Sequence, residues 1–584
     1  MLKNPIKKLL VAVLVIWCAP QARADWTRFR GPNGSGICDD NATMPVRWTS
    51  TANLQWKTKL PGPGVSSPIV VGDRVYVTCY SGYGLDRRSP GDQENLRRHL
   101  VSIDRQTGKT IWDRVVDPVL PEDPYSGIGV PAHGYASNTP VSDGENIYVF
   151  FGKTGVLAFD REGQQLWQTS VGKESDPRHW GSAASPILYN NLLIVPAIAE
   201  SEALVALDRK SGKEVWRQEA SGFANSWSTP VLVGVDDART DLVIGVTQEI
   251  WGLNPDTGKL RWYSQGAGGR SFCSSPVSNG QVAYAIEGQS GFAIAVRTGG
   301  KGDVSKSHVV WTGREAARFA SPIVHEGRIY SFGNGVVTVL NAASGERLSR
   351  FRMQGGTRAS RGGDYASPIL ADGKLYMVHR SGETHVLRAG KTLETLAVNR
   401  LTDDNEDFSA TPAAGDGNLY IRSDKHLYCV AAMGQDVPDS LVASAGLTAV
   451  EAESDDNGPG RNFGARPGGN RGSGGRGRGG FDTSARFKQH DGNGDGKLTA
   501  DELPERMRGR MAQMDTDKDG SLTPDEFRNG LAAMFVAPAG NRRPAGRTGR
   551  SGRNGRSGRT GRRGNRASSR GDKPDRPQRP ELEP

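Results

Sequence analysis

The chain has 584 residues, of which 36% are hydrophobic and 24% are charged, and its formal net charge is +10. Residues 541–584 alone carry 14 Lys/Arg against 4 Asp/Glu, and this net of +10 equals the excess of the whole chain. The remaining sequence is close to neutral, which excludes the strongly basic class of nucleic-acid-binding domains, and the length exceeds that of one ordinary domain.

Residues 1–24 have the pattern of a secretory signal peptide. Three lysines precede the apolar run Leu9–Trp17, and Ala22–Ala24 fits a small-x-small cleavage site. The alternative is a membrane anchor, but the run is too short to span a bilayer with ease. We therefore predict a cleaved signal, no transmembrane segment in the mature chain, and a periplasmic or secreted location.

Four cysteines follow the signal region: Cys38, Cys79, Cys273 and Cys429. An oxidising compartment would permit disulfides, and four cysteines allow three pairings. No two are adjacent and none forms a C-x-x-C motif. We interpret them mainly as buried small apolar residues, with one unassigned bridge as the alternative.

A Ser/Thr-Pro dipeptide that precedes an apolar strand recurs eight times along the chain. After a first gap of 72 residues, the prolines are spaced by 44 or 46 residues. A step of about 45 residues suits four short strands per unit, the size of a propeller blade. The prolines are Pro68, Pro140, Pro186, Pro230, Pro276, Pro322, Pro368 and Pro412.

Each unit reads as antiparallel strands, with alternating apolar residues and Gly/Asp turns, as in Gly373–Val378. The last unit, Phe408–Val430, lacks a fourth strand, whereas residues 53–60 look like a fourth strand with no unit before them. We predict that this N-terminal strand completes the last blade and closes the ring, because closure removes exposed strand edges. The predicted fold class is an all-β eight-bladed β-propeller over residues 25–435.

Residues 206–216, Ala-Leu-Asp-Arg-Lys-Ser-Gly-Lys-Glu-Val-Trp, resemble the tryptophan-docking motif of pyrroloquinoline-quinone-like (PQQ-like) propeller repeats. Related patterns end at Trp112, Trp167 and Trp262, and the resemblance covers about residues 50–431. In that family the tryptophans dock between neighbouring blades. The resemblance therefore implies a structural role for them rather than a ligand-binding one.

The PQQ-like family holds quinone-dependent dehydrogenases and also scaffolds, among them a subunit of the outer-membrane β-barrel assembly machinery. The resemblance implies that an enzyme would hold PQQ with a vicinal disulfide, a Ca²⁺ site of Glu, Asn and Asp, and an acidic base. The sequence has no adjacent cysteine pair. We therefore predict a non-catalytic binding or scaffold protein with no assigned catalytic or cofactor-binding residue. The alternative is a PQQ-type dehydrogenase with a diverged cofactor site.

Two features point to a binding surface on the propeller. Long insertions in the first blade, at Tyr80–His99 and Asp117–Tyr135, are typical of loops that bind a protein partner. An aromatic residue also precedes the Ser/Thr-Pro unit in seven blades. These aromatics either line one mouth of the central channel, where a planar ligand or peptide could bind, or fill the core. They are Tyr135, Trp180, Trp227, Phe272, Phe319, Tyr365 and Phe408.

Residues 481–536 contain two complete EF-hand loops, which start 24 residues apart. Each loop has oxygen ligands at positions 1, 3 and 5, Gly at position 6 and Glu at position 12, the arrangement that replaces the water shell of Ca²⁺. We predict a small all-α domain with two Ca²⁺ sites; a dockerin-like module is the alternative. The predicted ligands are Asp491, Asn493, Asp495, Lys497 and Glu502 in the first loop, and Asp515, Asp517, Asp519, Ser521 and Glu526 in the second.

The segments on either side of the EF-hand pair are rich in Gly and Arg. We predict that residues 436–480 are a flexible linker and that residues 537–584 are a disordered basic tail, because neither composition can bury a core. The tail could bind an anionic surface polymer or could simply be solvated. Nucleic acid is not expected as a partner of an exported protein.

Overall fold

A computed structural model of the protein describes residues 24–266, 269, 271–287, 291–315, 319–333, 335–353, 364–435, 437, 447–449, 490, 493, 495–503, 508, 511–527 and 578–584. Contacts divide the chain into two units. The first comprises residues 1–454 with 571–584, and the second comprises residues 455–570. The predicted signal peptide lies outside the described residues apart from its last residue, Ala24.

The first unit consists of eight four-stranded antiparallel arrays, which we call blades 1 to 8 in chain order. The predicted eight-bladed propeller is therefore confirmed. In blades 1 and 2 the strands are Ile69–Val71, Arg74–Ser81, Arg97–Asp104, Thr110–Val116, Val141–Ser142, Asn146–Phe150, Val156–Asp160 and Gln165–Thr169. In blades 3 and 4 they are Ile187–Tyr189, Leu192–Ala197, Ala203–Asp208, Glu214–Glu219, Val231–Gly234, Thr240–Val246, Glu249–Leu253 and Leu260–Gln265.

The second half of the ring repeats this arrangement. In blades 5 and 6 the strands are Val277–Asn279, Val282–Glu287, Phe292–Arg297, Val309–Arg314, Ile323–His325, Arg328–Gly333, Val336–Asn341 and Arg347–Met353. In blades 7 and 8 they are Ile369–Ala371, Lys374–Val378, Glu383–Arg388, Glu394–Arg400, Ala413–Gly415, Asn418–Arg422, His426–Ala431 and Leu54–Lys59.

Three short strands extend individual blades. Ile37–Cys38 joins blade 7, Gly302–Asp303 joins blade 4, and Leu447–Ala449 pairs with the outer strand of blade 6. The last of these lies within the segment predicted as a linker, a contact that composition alone did not indicate. Among the described residues, helical turns include Pro32–Gly34, Gln93–Asn95, Val130–His133, Gly152–Thr154, Ile198–Ser201 and Ser221–Phe223 in the first unit and Met511–Met514 in the second.

Leu54–Lys59 closes the ring as predicted, since it pairs antiparallel with His426–Ala431 and places Trp56 opposite Cys429. The Trp56 indole N–H also donates to the carbonyl of Arg105 in blade 1 at 3.0 Å. Gly108 lies directly against the indole of Trp56, and a Cβ at this position would come within 2.6 Å of that side chain. One strand therefore joins the last blade to the first.

The other docking tryptophans make the same contact between neighbouring blades. The indole N–H donates to a backbone carbonyl of the next blade from Trp112, Trp167, Trp216 and Trp311. Trp262 differs, because its N–H donates to the fully buried Asp241 carboxylate of its own blade at 2.7 Å. The structural role implied by the family resemblance is thus confirmed for Trp112, Trp167 and Trp216, and the structure adds Trp311, which the sequence motif did not indicate.

The recurring Ser/Thr before proline has a physical explanation. In seven successive pairs of blades, the backbone N–H of this residue donates to the hydroxyl of its counterpart in the next blade, at 2.9–3.0 Å. The chain of bonds runs through Ser67, Thr139, Ser185, Thr229, Ser275, Ser321, Ser367 and Thr411 around the central channel. Because these groups are buried, each unpaired N–H would cost about 1–3 kcal/mol.

Cys38, Cys79 and Cys429 form no disulfide, as the interpretation as separate buried residues expects. Cys38, Cys79 and Cys429 are buried in the core shared by blades 1, 7 and 8. Burial raises the pKa of the Cys429 thiol to about 12. These three thiols therefore act as small core residues rather than as reactive groups.

Within the described residues, no helix combines the length and apolar composition that crossing a bilayer requires.

Candidate functional site

The central channel of the propeller contains a cavity of about 550 Å³. Its wall carries the Ser/Thr ring, and its rim carries the aromatic side chains of Trp180, Trp227, Phe319 and Tyr365. The Trp180 and Trp227 rings lie 4.9 Å apart, and the Phe319 and Tyr365 rings lie 4.4 Å apart and stacked. The rim thus offers two flat apolar surfaces against which a planar group could stack.

The other three predicted aromatics do not reach this cavity. Tyr135, Phe272 and Phe408 are almost completely buried in the blades, with Phe408 packed 6.0 Å from Tyr428. The two interpretations offered by the sequence therefore each describe part of the set. Four aromatics line the mouth, and three fill the core.

The N-terminal segment closes one end of the channel. Trp26 forms a bridge with Val70 of blade 1, and Arg30 donates to the Pro322 carbonyl of blade 6 at 2.6 Å. Phe29, between them, lines the cavity. Residues 26–30 therefore cross the ring and form the floor of the cavity, a role that sequence inspection did not identify.

Arginine side chains lie beneath the cavity and along its wall. Arg28 and Arg30 are buried beneath it and donate to backbone carbonyls, and burial lowers the pKa of Arg30 to about 9. Arg87 and Arg380 line the wall; Arg87 donates to the Gly127 carbonyl at 2.6 Å, and Arg380 pairs with Asp407. No Asp or Glu lines the cavity among the described residues.

This lining does not fit the calcium–quinone arrangement that the family resemblance implies. Cys273 is the lone cysteine of the wall, so there is no vicinal pair, and the described wall offers no carboxylate for a cation or for proton abstraction. The undescribed stretches between residues 267 and 363 also contain no Asp or Glu in their sequences. The cavity instead presents flat apolar faces within a positive environment.

A buried acidic cluster lies beside the cavity wall, under the first-blade insertion. Glu122 pairs with Arg98 at 2.7 Å, and Asp123 lies 3.5 Å from the Lys153 ammonium. Glu200, from the helical turn Ile198–Ser201, has one carboxyl oxygen without a hydrogen-bond partner. Burial, with smaller contributions from Glu122 and Asp123, raises the pKa of Glu200 to about 8. The sequence indicated the insertion as a loop but gave no signal for this cluster.

This raised pKa makes the stability of the propeller pH-dependent. Between about pH 4.5 and pH 8 the folded chain retains a proton on Glu200 that the unfolded chain releases, so the free energy of unfolding should fall as the pH rises, by at most about 5 kcal/mol. Denaturant unfolding measured at several pH values should show that the free energy of unfolding of Glu200→Gln depends less on pH over this range. The exposed Glu394→Gln is the control. Identical slopes for Glu200→Gln and the native chain would contradict the assignment.

In the second unit, the described EF-hand residues form a paired structure. The backbones of Leu498 and Leu522 exchange two N–H···O bonds of 2.9 Å, which joins the loops as EF-hands are joined. Gly496 and Gly520 have φ angles of 79° and 83°, the left-handed conformation that position 6 requires. Beneath the loops lies an apolar cluster of Leu498, Leu503, Met511, Met514, Leu522 and Phe527.

The second loop brings its predicted ligands together. Oxygen atoms of Asp515, Asp517 and Asp519 all lie within 4.8 Å of one another. Glu526 turns back into the loop, where the backbone N–H groups of Thr516 and Thr523 donate to its two oxygens at 2.8 and 3.0 Å. Asp515 Oδ1 is buried and has no hydrogen-bond partner. This orphaned oxygen within a set of carboxylates fits a hard cation such as Ca²⁺.

Local donors keep these carboxylates ionised. Hydrogen bonds from Ser521, with Lys497, lower the pKa of Asp519 to about 2, and those from Thr523 and Thr516 lower the pKa of Glu526 to about 2. Ser521 lies at position 7 of the loop, where an EF-hand uses the backbone carbonyl as the ligand. The second loop therefore offers ionised oxygen ligands over the whole neutral range.

The first loop is described in part. Asn493 and Asp495 lie together, with the Asn493 amide donating to Asp495 at 3.0 Å, and Glu502 faces the loop, as its contact with the Asn493 backbone N–H shows. Asp491 lies outside the described residues. The Lys497 ammonium lies 2.9 Å from Asp519 of the other loop, so this side chain adds a positive charge to the neighbouring site.

Comparison with known proteins places both units in families. The profile of the family described as outer membrane protein assembly factor BamB matches residues 40–195, 180–304 and 301–445. The EF-hand profile matches residues 484–506 and 510–532.

Curated relatives are distant. A polyvinylalcohol dehydrogenase of Sphingopyxis sp. (strain 113P3) is 21% identical over 286 residues, which cover 42% of this chain and 40% of that protein. A 1-butanol dehydrogenase (quinone) of Thauera butanivorans is 26% identical over 191 residues, 30% of each chain. The chain thus spans two fifths or less of the length of these relatives.

Among solved structures, BamB from Moraxella catarrhalis aligns with a TM-score of 0.44 and 14% identity, covering 65% of this chain and 99% of that one. A europium-containing methanol dehydrogenase aligns with a TM-score of 0.49 and 11% identity, covering 68% and 89%. The family assignment rests on the profile matches, which extend over most of the propeller. The chain belongs to the family of outer membrane protein assembly factor BamB, with PQQ-like propeller repeats, and carries a C-terminal EF-hand pair.

Proposed function

We propose that this is an exported, calcium-binding propeller protein that acts as a non-catalytic binding or scaffold protein, and that its channel mouth receives an anionic segment of a partner. The observation that carries the proposal is the cavity itself, with two pairs of closely packed aromatic rings, arginines around it and no described carboxylate in its wall. The chain belongs to the family described as outer membrane protein assembly factor BamB, and an assembly factor acts on other proteins, which supports a protein partner.

The chemistry of the cavity defines the segment it would take. Trp180 and Trp227 offer flat faces for an aromatic side chain, and the positive charges of Arg28, Arg30 and Arg87 favour a neighbouring Asp, Glu or terminal carboxylate. The recognised group is therefore an acidic peptide segment with an aromatic residue. Charge also favours its approach, which salt would slow.

Isothermal titration calorimetry measures this binding. A synthetic acidic peptide with an aromatic residue should bind saturably. Removing one aromatic surface by Trp180→Ala should weaken binding by about tenfold, since stacking on an aromatic side chain is worth about 1–3 kcal/mol per ring. Arg87→Ala should reduce affinity and its salt dependence. The control is Arg388→Ala, an arginine on the exposed face of blade 7. Equal affinity in all variants would overturn the channel mouth as the binding site.

A quinone-dependent dehydrogenase is the second candidate, supported by the names of the curated relatives. The cavity does not fit the quinone arrangement of that family, so no catalytic step is assigned to any residue. The two candidates separate in one assay. The purified protein, incubated with PQQ, Ca²⁺ and a primary alcohol, should not reduce an artificial electron acceptor. Sustained turnover that depends on PQQ would reverse the choice.

For the second unit, we propose that each EF-hand loop binds one Ca²⁺ through the residues predicted from the sequence. The carboxylate cluster of the second loop, with its orphaned Asp515 oxygen, supports this assignment. Calcium would be held by backbone and side-chain oxygens and would stabilise the fold of this unit, because a site absent from the unfolded chain adds its binding energy to stability.

A further inference from the structure

The last seven residues, Gln578–Pro584, form a strap along the outer edge of blade 4, and we call them the C-terminal strap. Leu582 pairs in parallel with Leu260, and Glu583 N–H donates to the Leu260 carbonyl at 2.6 Å. At the other end of the strap, Gly222 N–H donates to the Gln578 carbonyl at 3.1 Å. The strap therefore adds backbone hydrogen bonds at the Leu260 end of the outer strand, beside Gly302–Asp303, which pairs with Trp262 and Tyr263 of the same strand. Peptides add to strand edges in this way in β-augmentation.

The strap is held at its first end by Arg579. Its guanidinium donates from Nε to Glu249 at 2.6 Å and from Nη2 to the other oxygen of the same carboxylate. It also lies over the Tyr263 ring, 3.5 Å from the centroid. With the strap in place Glu249 is 3% exposed, and its other donor is the neutral indole N–H of Trp251. Blade 4 thus presents a carboxylate and an aromatic face that together fit a cation.

The second end is held by Glu583, whose carboxylate accepts from Arg261 at 2.8 Å and from Asn254 at 2.6 Å. Burial opposes its ionisation, but these two donors outweigh it and lower the pKa of Glu583. Arg261 is itself fixed by Asp241 at 3.0 Å and by the Thr240 carbonyl. Arg261 is therefore positioned by contacts within blade 4 and not only by its contact with the strap.

These contacts are peculiar to blade 4 within the described propeller. The residue just before the docking tryptophan is an exposed aliphatic in blades 1, 2, 3 and 5, namely Ile111, Leu166, Val215 and Val310. In blade 4 the same position is Arg261. At this position blade 4 carries a positive charge where those four blades carry an aliphatic side chain, and the same edge also presents Glu249 and Tyr263, which together have the chemistry of a recognition site.

We propose that the outer edge of blade 4 is a peptide-binding site that recognises an Arg followed, three and four residues later, by Leu and Glu, and that its occupant is the chain's own C-terminus. Glu249 and Tyr263 bind the arginine, Arg261 and Asn254 bind the glutamate, and the Leu260 edge fixes the register. The site is separate from the channel mouth and does not depend on its function.

Tethering favours this occupant over a free peptide. The strap and blade 4 belong to one chain, so the strap competes with a free peptide at an effective concentration that does not depend on the protein concentration. A test in trans must therefore weaken the strap first. The full-length variant Arg579→Ala does this without altering blade 4, and Arg576→Ala, three residues earlier in the same basic segment, is its matched control.

The experiment titrates a labelled peptide of residues 574–584 into the full-length Arg579→Ala protein. The peptide should bind this variant at least about tenfold more tightly than it binds the native chain. On the same variant, the peptide with alanine at position 579 should bind about 10–100-fold more weakly than the native peptide, as expected for loss of a charge-assisted bidentate pair. The peptide with alanine at position 576 should bind like the native one. A receptor variant, Glu249→Gln in the Arg579→Ala background, should lose binding while retaining the melting curve of that background.

Hydrogen exchange on the native chain gives a second measurement that requires no peptide. Residues 578–584 and 260–265 should exchange more slowly than in Arg579→Ala, and Arg576→Ala should match the native chain. Equal exchange in all three, or equal binding of the two peptides that differ at position 579, would overturn the site. Protection that appears only as dimers form at high concentration would overturn the intramolecular occupant.

Discussion

Replacing both Glu502 and Glu526 by glutamine should abolish Ca²⁺ binding to the EF-hand pair. The position-12 carboxylate chelates the ion with two oxygens, and an amide offers one neutral oxygen in the same space. We expect affinity to fall by more than about 100-fold at each loop, since changes to outer partners of a metal site alone typically cost 10–100-fold. Isothermal titration of the full-length chain measures this directly.

The single variants locate the two sites. Glu526→Gln should remove one equivalent of bound ion and leave the first loop, and Glu502→Gln should do the reverse, with some loss of affinity at the intact loop because Leu498 and Leu522 join the two backbones. Asp525→Asn, an acidic neighbour at a non-ligand position of the second loop, is the control. Two equivalents of tightly bound ion in the double variant would disprove the ligand assignment.

Truncating Trp56 to alanine should be the most destabilising single change in the propeller. The side chain is 8% exposed, packs against Tyr420 at 6.0 Å and hydrogen-bonds across the closure to blade 1. Removing a buried aromatic of this size typically costs about 3–5 kcal/mol. Here the loss falls where the first and last blades meet, so unfolding should begin by opening of the ring.

Chemical denaturation of Trp56→Ala measures this loss of stability, and two further variants serve as comparisons. Trp56→Phe keeps most of the apolar contact but loses the indole donor. It should therefore be less destabilising than Trp56→Ala, with a cost of roughly 1–3 kcal/mol from the unpaired Arg105 carbonyl. Val115→Ala removes a side chain that is 56% exposed, and it should change stability by less than about 0.5 kcal/mol. A Trp56→Ala loss no larger than that of Val115→Ala would show that this strand does not hold the ring closed.

Features with a fixed local spacing could be predicted from the sequence. The Ser/Thr-Pro period led to eight blades, because each unit repeats one set of neighbouring contacts. The unpaired strand at residues 53–60 led to the closure, because the last unit lacked a partner for it. The EF-hand glycines at positions 496 and 520 have the backbone conformation that the loop pattern requires.

Contacts between distant parts of the chain could not be predicted in this way. Arg30 binds the Pro322 carbonyl, and Arg579 binds Glu249, across 292 and 330 residues respectively. Neither pair is marked by a recurring spacing or a motif in the sequence. Each contact depends on which strands the closed propeller brings next to the arginine. The four channel aromatics also could not be separated from the three core aromatics, because their offsets from proline vary and Phe and Tyr occur in both groups.

Anchoring on both sides of the EF-hand pair has a consequence for the integrity of the molecule. Leu447–Ala449 is paired with blade 6, and Gln578–Pro584 is bound to blade 4. The residues between 449 and 578 are thus joined to the first unit at both ends. Proteolytic nicking before the EF-hand pair would yield two polypeptides that still copurify, with the calcium-binding piece retained through the seven residues of the strap and released by high salt rather than by the cut.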